Sequence, residues 1–136
     1  MYFLRIIASL MIMFAFKPAF SNTEWQYVHE ELVLDAGVMT TTTTLKFISR
    51  TEVVKSSQSV MPSHPAMHMN ADGTVDTLPG WTSDWESHGT YKYSKGMLTI
   101  TFDDETTMEL LYKDNSLFSL KREYDGSEIV FLPVKR

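Results

Sequence analysis

An all-β fold, a single antiparallel up-and-down barrel or barrel-like sandwich of about eight strands, is what this sequence predicts. Three observations predict it. Apolar and polar residues alternate with period two in several short segments. Turn residues separate those segments at intervals of roughly ten residues. No useful stretch repeats apolar residues at helical spacing, whereas β-branched and aromatic residues dominate.

The N-terminal stretch is the exception to that rhythm. Met1 to Phe16 carries one charge, Arg5, before an apolar run from Ile6 to Phe16 that only Ser9 interrupts. The run is about 11 residues long, short of the roughly 20 that a helix needs to cross a bilayer. Lys17-Pro18 ends it, and Ala19-Phe20-Ser21 offers the small-x-small pattern of a signal-peptidase site. Residues 1–21 therefore read as a secretory signal peptide cut near Ser21-Asn22, with one domain over 22–136.

Within that domain, Trp25 to Leu34 and Met39 to Ser49 pair as a hairpin around Asp35-Ala36-Gly37. The Thr40–Thr44 run belongs to the second strand, because threonine suits a pleated surface. Glu52 to Val60 supplies a third strand. Residues 61–86 break the alternation with Pro62, Pro65, Gly73, Pro79 and Gly80, and read as a long loop insertion holding one short strand, Thr74 to Leu78.

Residues 88–134 then read as a five-strand meander. Tyr91 and Tyr93 share a face, as do Leu98, Ile100 and Phe102; Met108, Leu110 and Tyr112 share the next, and Phe118 and Leu120 the one after. Ser94-Lys95-Gly96, Asp103-Asp104-Glu105, Lys113-Asp114-Asn115-Ser116 and Tyr124-Asp125-Gly126-Ser127 supply the turns. Pro133 suits a strand end. Leu98, Ile100, Phe102, Leu110 and Phe118 are the expected inward residues.

Charge and composition narrow the function classes. The chain carries 12 basic against 17 acidic residues, net −5, and without residues 1–21 the balance is −7. Nucleic acid and anionic membrane surfaces are thereby disfavoured as partners, since both require clustered Lys and Arg. The absence of cysteine removes disulfides, thiol nucleophiles and thiolate metal sites. It also removes the cysteine of a bacterial lipoprotein anchor. The expectation is a periplasmic or secreted bacterial protein without a membrane anchor.

Trp25 in the first strand, Asp72-Gly73-Thr74-Val75 in mid-chain, Gly89-Thr90-Tyr91 and Met97-Leu98-Thr99-Ile100-Thr101 together resemble the bacterial lipocalin-like domains. The resemblance runs from about Trp25 to Leu132. These are small exported β-barrels, and the resemblance implies that fold and an interior cavity, but no reaction. The chain departs from a true lipocalin at Thr23, where that family has glycine two residues before the tryptophan. Arg122 is the nearest candidate for the arginine that packs on Trp25.

Three residue groups bear chemistry. Met61, His64, Met67, His68 and Met69 bring thioether and imidazole donors together, a set that suits Cu(I) or Ag(I), or packs as loop anchors. Trp81, Asp84 and Trp85 could close a barrel mouth over an apolar ligand, stack on a sugar ring, or plug the barrel. His29 and His88 read as isolated surface positions. No Gly-x-Ser-x-Gly elbow appears, and Asp103, Asp104 and Glu105 lack the spacing of a calcium loop.

These observations point to a non-catalytic binding protein that holds a small apolar or amphipathic ligand in the barrel, with Trp81, Trp85 and Tyr91 as ligand-facing residues and no cofactor. One alternative is a periplasmic copper or silver binder using Met61 to Met69. Another is a protein-interaction or inhibitor module with an exposed apolar patch.

Overall fold

Alternating segments become strands wherever one face can be buried. In the computed structural model, which describes residues 19–33, 36–66 and 68–135, these are β1 (Thr23–Val33), β2 (Gly37–Phe47), β3 (Glu52–Met61), β4 (His64–Pro65), β5 (Thr77–Leu78), β6 (Trp81–Ser94), β7 (Met97–Phe102), β8 (Thr107–Lys113), β9 (Ser116–Ser119) and β10 (Val130–Pro133). Residues 1–18 of the expected signal peptide, Leu34-Asp35 of the first expected turn, and Met67 lie outside the described residues.

Eight strands close into an antiparallel barrel in the order β1-β10-β9-β8-β7-β6-β3-β2. Setting β4 and β5 aside, each strand pairs with its neighbour in sequence, and β10 returns to β1. This closed up-and-down barrel is consistent with a lipocalin-like fold. Turn chemistry supports the path. Lys95-Gly96 and Asp114-Asn115 connect β6 to β7 and β8 to β9 with both central residues at positive φ, 52° and 83°, then 52° and 56°. Both are the two-residue turns whose twist matches that of the strands they join.

The register sorts the side chains into inner and outer faces. Trp25 pairs with Leu45, Phe47 with Val53, Leu98 with Leu110, and Phe131 with Leu117, and all of these are buried. They form one cluster with Phe20, Tyr91, Ile100 and Phe102. Phe20 enters it from before β1, because a turn at residues 21–22 folds its ring back under the strands. Aromatic side chains therefore plug this end of the barrel.

Several sequence expectations change here. Residues 81–86 are not loop: β6 begins at Trp81 and pairs with β3 from Trp81↔Met61 to Thr90↔Glu52. The insertion is the extended tip of the β3–β6 hairpin, spanning residues 62–80; of the expected strand Thr74 to Leu78 only Thr77–Leu78 forms, as β5, and it pairs with β4. Phe118 faces outward, opposite Leu111, while Leu117 is fully buried. Arg122 hydrogen-bonds the Gly126 carbonyl at 3.0 Å and lies 3.5 Å from Glu128, so it does not pack on Trp25.

The outward positions of the short strands carry an apolar stripe. Met97, Leu111, Phe118 and Val130 face one another in turn across β7, β8, β9 and β10. Leu132 and Val28, both exposed, flank it.

Candidate functional site

Unequal strand lengths create the site. β1, β2, β3 and β6 run for 11, 11, 10 and 14 residues, whereas β7, β8, β9 and β10 run for 6, 7, 4 and 4. β10 meets β1 only at Trp25 and Gln26, and β7 meets β6 only from Gly89 onward. The four long strands therefore project past the barrel as an open wall at the end opposite the aromatic plug.

The inner face of that wall follows from period-two alternation. Continuing from Trp25, Leu45, Val53 and Tyr91, it presents two rungs of polar side chains. Tyr27, Thr43, Ser57 and Trp85 form one rung, and His29, Thr41, Ser59 and Ser83 form the next. Ser57 is 6% exposed, and the Thr41 and Ser59 hydroxyls are hydrogen-bonded at 2.9 Å. The wall is thus a hydroxyl-rich surface with an aromatic at each side.

Lys55 lies at its foot. It pairs with Leu45 on one side and Ser87 on the other, so it shares the inner face. Its Nζ sits 5.0 Å from the Trp85 ring centroid and 5.0 Å from that of Phe102. A cation over two ring faces is held by their quadrupoles, an attraction that grows as water is excluded. Burial lowers the Lys55 pKa below its ordinary 10.5, and the charge of Asp104 in the β7–β8 turn acts the other way.

Across the mouth, the Tyr27 hydroxyl lies 3.3 Å from His29 Nδ1, and the two rings stack with a 27° interplanar angle. Burial raises the Tyr27 pKa above 10.0, and the charge of Glu123 adds to it. Asp125 is held low by the Ser127 hydroxyl and N–H, with a further contribution from His29. The β9–β10 loop, residues 120–129, therefore stands against β1 at this rim.

The residues singled out from the sequence fall into three places. Trp81 and Trp85 both lie on the inner face of β6, 47% and 49% exposed, about 13 Å apart along the strand at ~3.3 Å per residue. Tyr91 sits in the plug, its ring 4.8 Å from that of Phe47 and its hydroxyl bonded to the Ser49 carbonyl. The Met and His residues are strung along the β3–β6 hairpin. Met61 is buried opposite Trp81, His64 pairs with Leu78, and His68 and Met69 are exposed further out. Among the described residues, no group of three His, Asp or Glu side chains is placed to hold a metal ion.

Lys55 and Tyr27 are not among the sequence candidates, and His29, expected as an isolated surface position, is half-buried and lies against the Tyr27 hydroxyl. A signal for them exists. Counting by twos from Trp25 through Tyr27 to His29, and from Val53 through Lys55 to Ser57, keeps each on the inner face.

Comparison with models of known protein families, with curated proteins and with solved structures returned no match. Among the described residues, no helix is long and apolar enough to cross a membrane.

Proposed function

We propose that this is an exported, non-catalytic binding protein whose open end receives a small amphipathic molecule bearing an anionic group. The observation that carries the reading is Lys55, an ammonium set over Trp85 and Phe102 at the foot of a hydroxyl-lined wall. A partly desolvated cation gains most from an anion that reaches it. Trp85 offers a flat apolar face beside it, and Ser57, Ser59, Thr41 and Thr43 offer hydrogen bonds to polar substituents. Together the hydroxyls and the Lys55 ammonium would meet the polar substituents and the charge of such a ligand.

Anilinonaphthalene sulfonate, an aromatic anion, tests the reading by fluorescence titration. Wild-type protein should bind it saturably at one site, and Lys55→Met and Trp85→Ala should each weaken binding by about tenfold or more, a loss of ~1.4 kcal/mol. Near-UV circular dichroism of each variant verifies that the barrel is intact. Unchanged affinity in a folded Lys55→Met variant would remove the proposal. Native mass spectrometry of the protein from its own host's envelope fraction would then identify the ligand class.

A second reading, an interaction module, is favoured by the outward stripe of Met97, Leu111, Phe118 and Val130. Contiguous apolar surface of this kind marks protein contacts. Sedimentation of wild type and Leu111→Glu tests it. A concentration-dependent mass that the substitution abolishes supports the stripe as a contact, and identical monomeric behaviour counts against self-association.

A further inference from the structure

Phe20 occupies the plugged end in the manner of a bound ligand. Its ring is 4% exposed and meets those of Trp25, Phe47, Tyr91, Tyr93 and Tyr112, with centroids between 5.3 and 6.4 Å away. The contacts are tilted or edge-on, the arrangements that aromatic quadrupoles favour. All five of these partners lie on strands of the barrel, whereas Phe20 precedes the first strand.

A short reversal delivers the ring. Thr23 directs both its N–H, at 3.0 Å, and its hydroxyl to the Phe20 carbonyl, while Asn22, at φ 63°, donates its N–H to the Phe47 carbonyl at 2.7 Å. Two clefts, of about 380 and 400 Å³, lie beside the ring and share Ala19 and Phe20 as a common wall. Glu24, Tyr112 and Asn115 line one, and Arg50, Lys92 and Tyr93 line the other, so the two clefts differ in charge and only the second suits an acidic group.

The Ser21-Asn22 bond lies just beyond Phe20. Hydrolysis there releases the ring but leaves Asn22, Thr23 and every strand residue of the socket on the barrel. We propose that cutting the chain at Ser21-Asn22 opens a second binding site at the plugged end, one that takes a single-ring aromatic compound carrying an acidic group. The ring class follows from the five aromatic walls that Phe20 now satisfies. The acidic group follows from Arg50 and Lys92, which line the adjoining cleft and would meet its charge. The cut itself rests on the signal-peptide reading. The socket does not, because a shortened side chain at position 20 empties it in the uncut chain.

The test uses para-fluorophenylacetate followed by fluorine NMR. The full chain is produced in an export-competent bacterial host, and the mass of the exported protein fixes its first residue. That protein, the uncut wild type and the uncut Phe20→Ala variant are then titrated. The exported protein should begin at Asn22. It and Phe20→Ala should bind the probe saturably at one site, at least about tenfold more tightly than the uncut wild type. Lys55→Met should leave this binding unchanged, which separates it from the site at the open end.

A first residue at or before Phe20 would overturn the processing step. Equal binding by all three samples, or by none, would overturn the socket. Equal affinity for para-fluorophenethylamine would overturn the acidic class. Near-UV circular dichroism is recorded for each sample. Loss of the aromatic signal without Phe20 would also count against the proposal, since the socket would not then persist when empty.

Discussion

The Tyr91 hydroxyl donates a hydrogen bond to the Ser49 carbonyl oxygen at 2.6 Å, joining residues 42 positions apart. Ser49 lies in the β2–β3 turn, where its own hydroxyl accepts from the N–H groups of Thr51 and Glu52 at 3.3 and 3.1 Å. One phenol therefore ties β6 to the turn that connects two other strands. Tyr91→Phe keeps the ring on Phe47 and removes only this tie. The expected cost is about 1 kcal/mol, read as a fall of roughly 4 °C in Tm. A variant as stable as wild type would show that the bond is replaced by water without loss.

Lys55 should give the molecule an alkaline stability gradient. Its folded pKa lies below the ordinary 10.5 because burial disfavours the charged form. Between the folded value and 10.5 the unfolded chain binds more protons than the native one, so stability rises with pH through that window. Denaturant midpoints measured from pH 8 upward should show the rise in wild type and lose it in Lys55→Met. The same slope in both proteins would place the effect elsewhere.

The acid limb should come from three turns with one design. Asp72, Asp104 and Asp125 each accept from the hydroxyl and the backbone N–H of the residue two positions later, Thr74, Thr106 and Ser127. Those bonds hold all three carboxyls below the ordinary 3.8. Stability from a lowered carboxyl is present above the unfolded pKa and disappears as pH falls through the folded one. Urea midpoints should thus decline below about pH 4. The triple Asp→Asn variant, which keeps an acceptor at each turn, should decline less steeply.

Gly89 lies opposite Val53 and Phe102, on the inner face, where a side chain has no room. A Cβ there would come within 2.6 Å of the Thr101 carbonyl oxygen and 3.0 Å of Phe102 Cδ1. Backbone cannot yield as a flexible side chain does, so Gly89→Ala should cost at least about 1–3 kcal/mol. Chemical denaturation measures this. Because Phe102 is one of the two rings under Lys55, a folded Gly89→Ala protein should also bind anilinonaphthalene sulfonate more weakly.

The barrel was legible because its lower half contrasts apolar with polar. Leu98-Thr99-Ile100-Thr101-Phe102 announces a strand and its inner face together. Leu117-Phe118 does not, since both are apolar. The choice falls to the two-residue turn at Asp114-Asn115, which sets Tyr112 against Leu117 and turns Phe118 outward. The upper half offers little contrast of any kind. Thr40–Thr44 and Ser56–Ser59 place hydroxyls or amides on both faces, so hydropathy cannot tell the wall's inner surface from its outer one. Trp81-Thr82-Ser83-Asp84-Trp85 followed Pro79-Gly80 and had no apolar partner at period two, which is why it read as loop. Lys55 stands between Val54 and Ser56, and only the strand register turns it inward.

The ring of strands is fastened very unevenly. Eleven residue pairs join β1 to β2, yet only Trp25↔Pro133 and Gln26↔Leu132 join β1 to β10, with the Val134 N–H bonded to the Glu24 carbonyl at 2.8 Å just below. That narrow seam is where the first and last staves meet, and it adjoins Phe20. Events at the N-terminal edge of the barrel therefore act beside one of its two narrowest joints, the other being β9–β10, which is also held by two pairs, Val130↔Phe118 and Phe131↔Leu117.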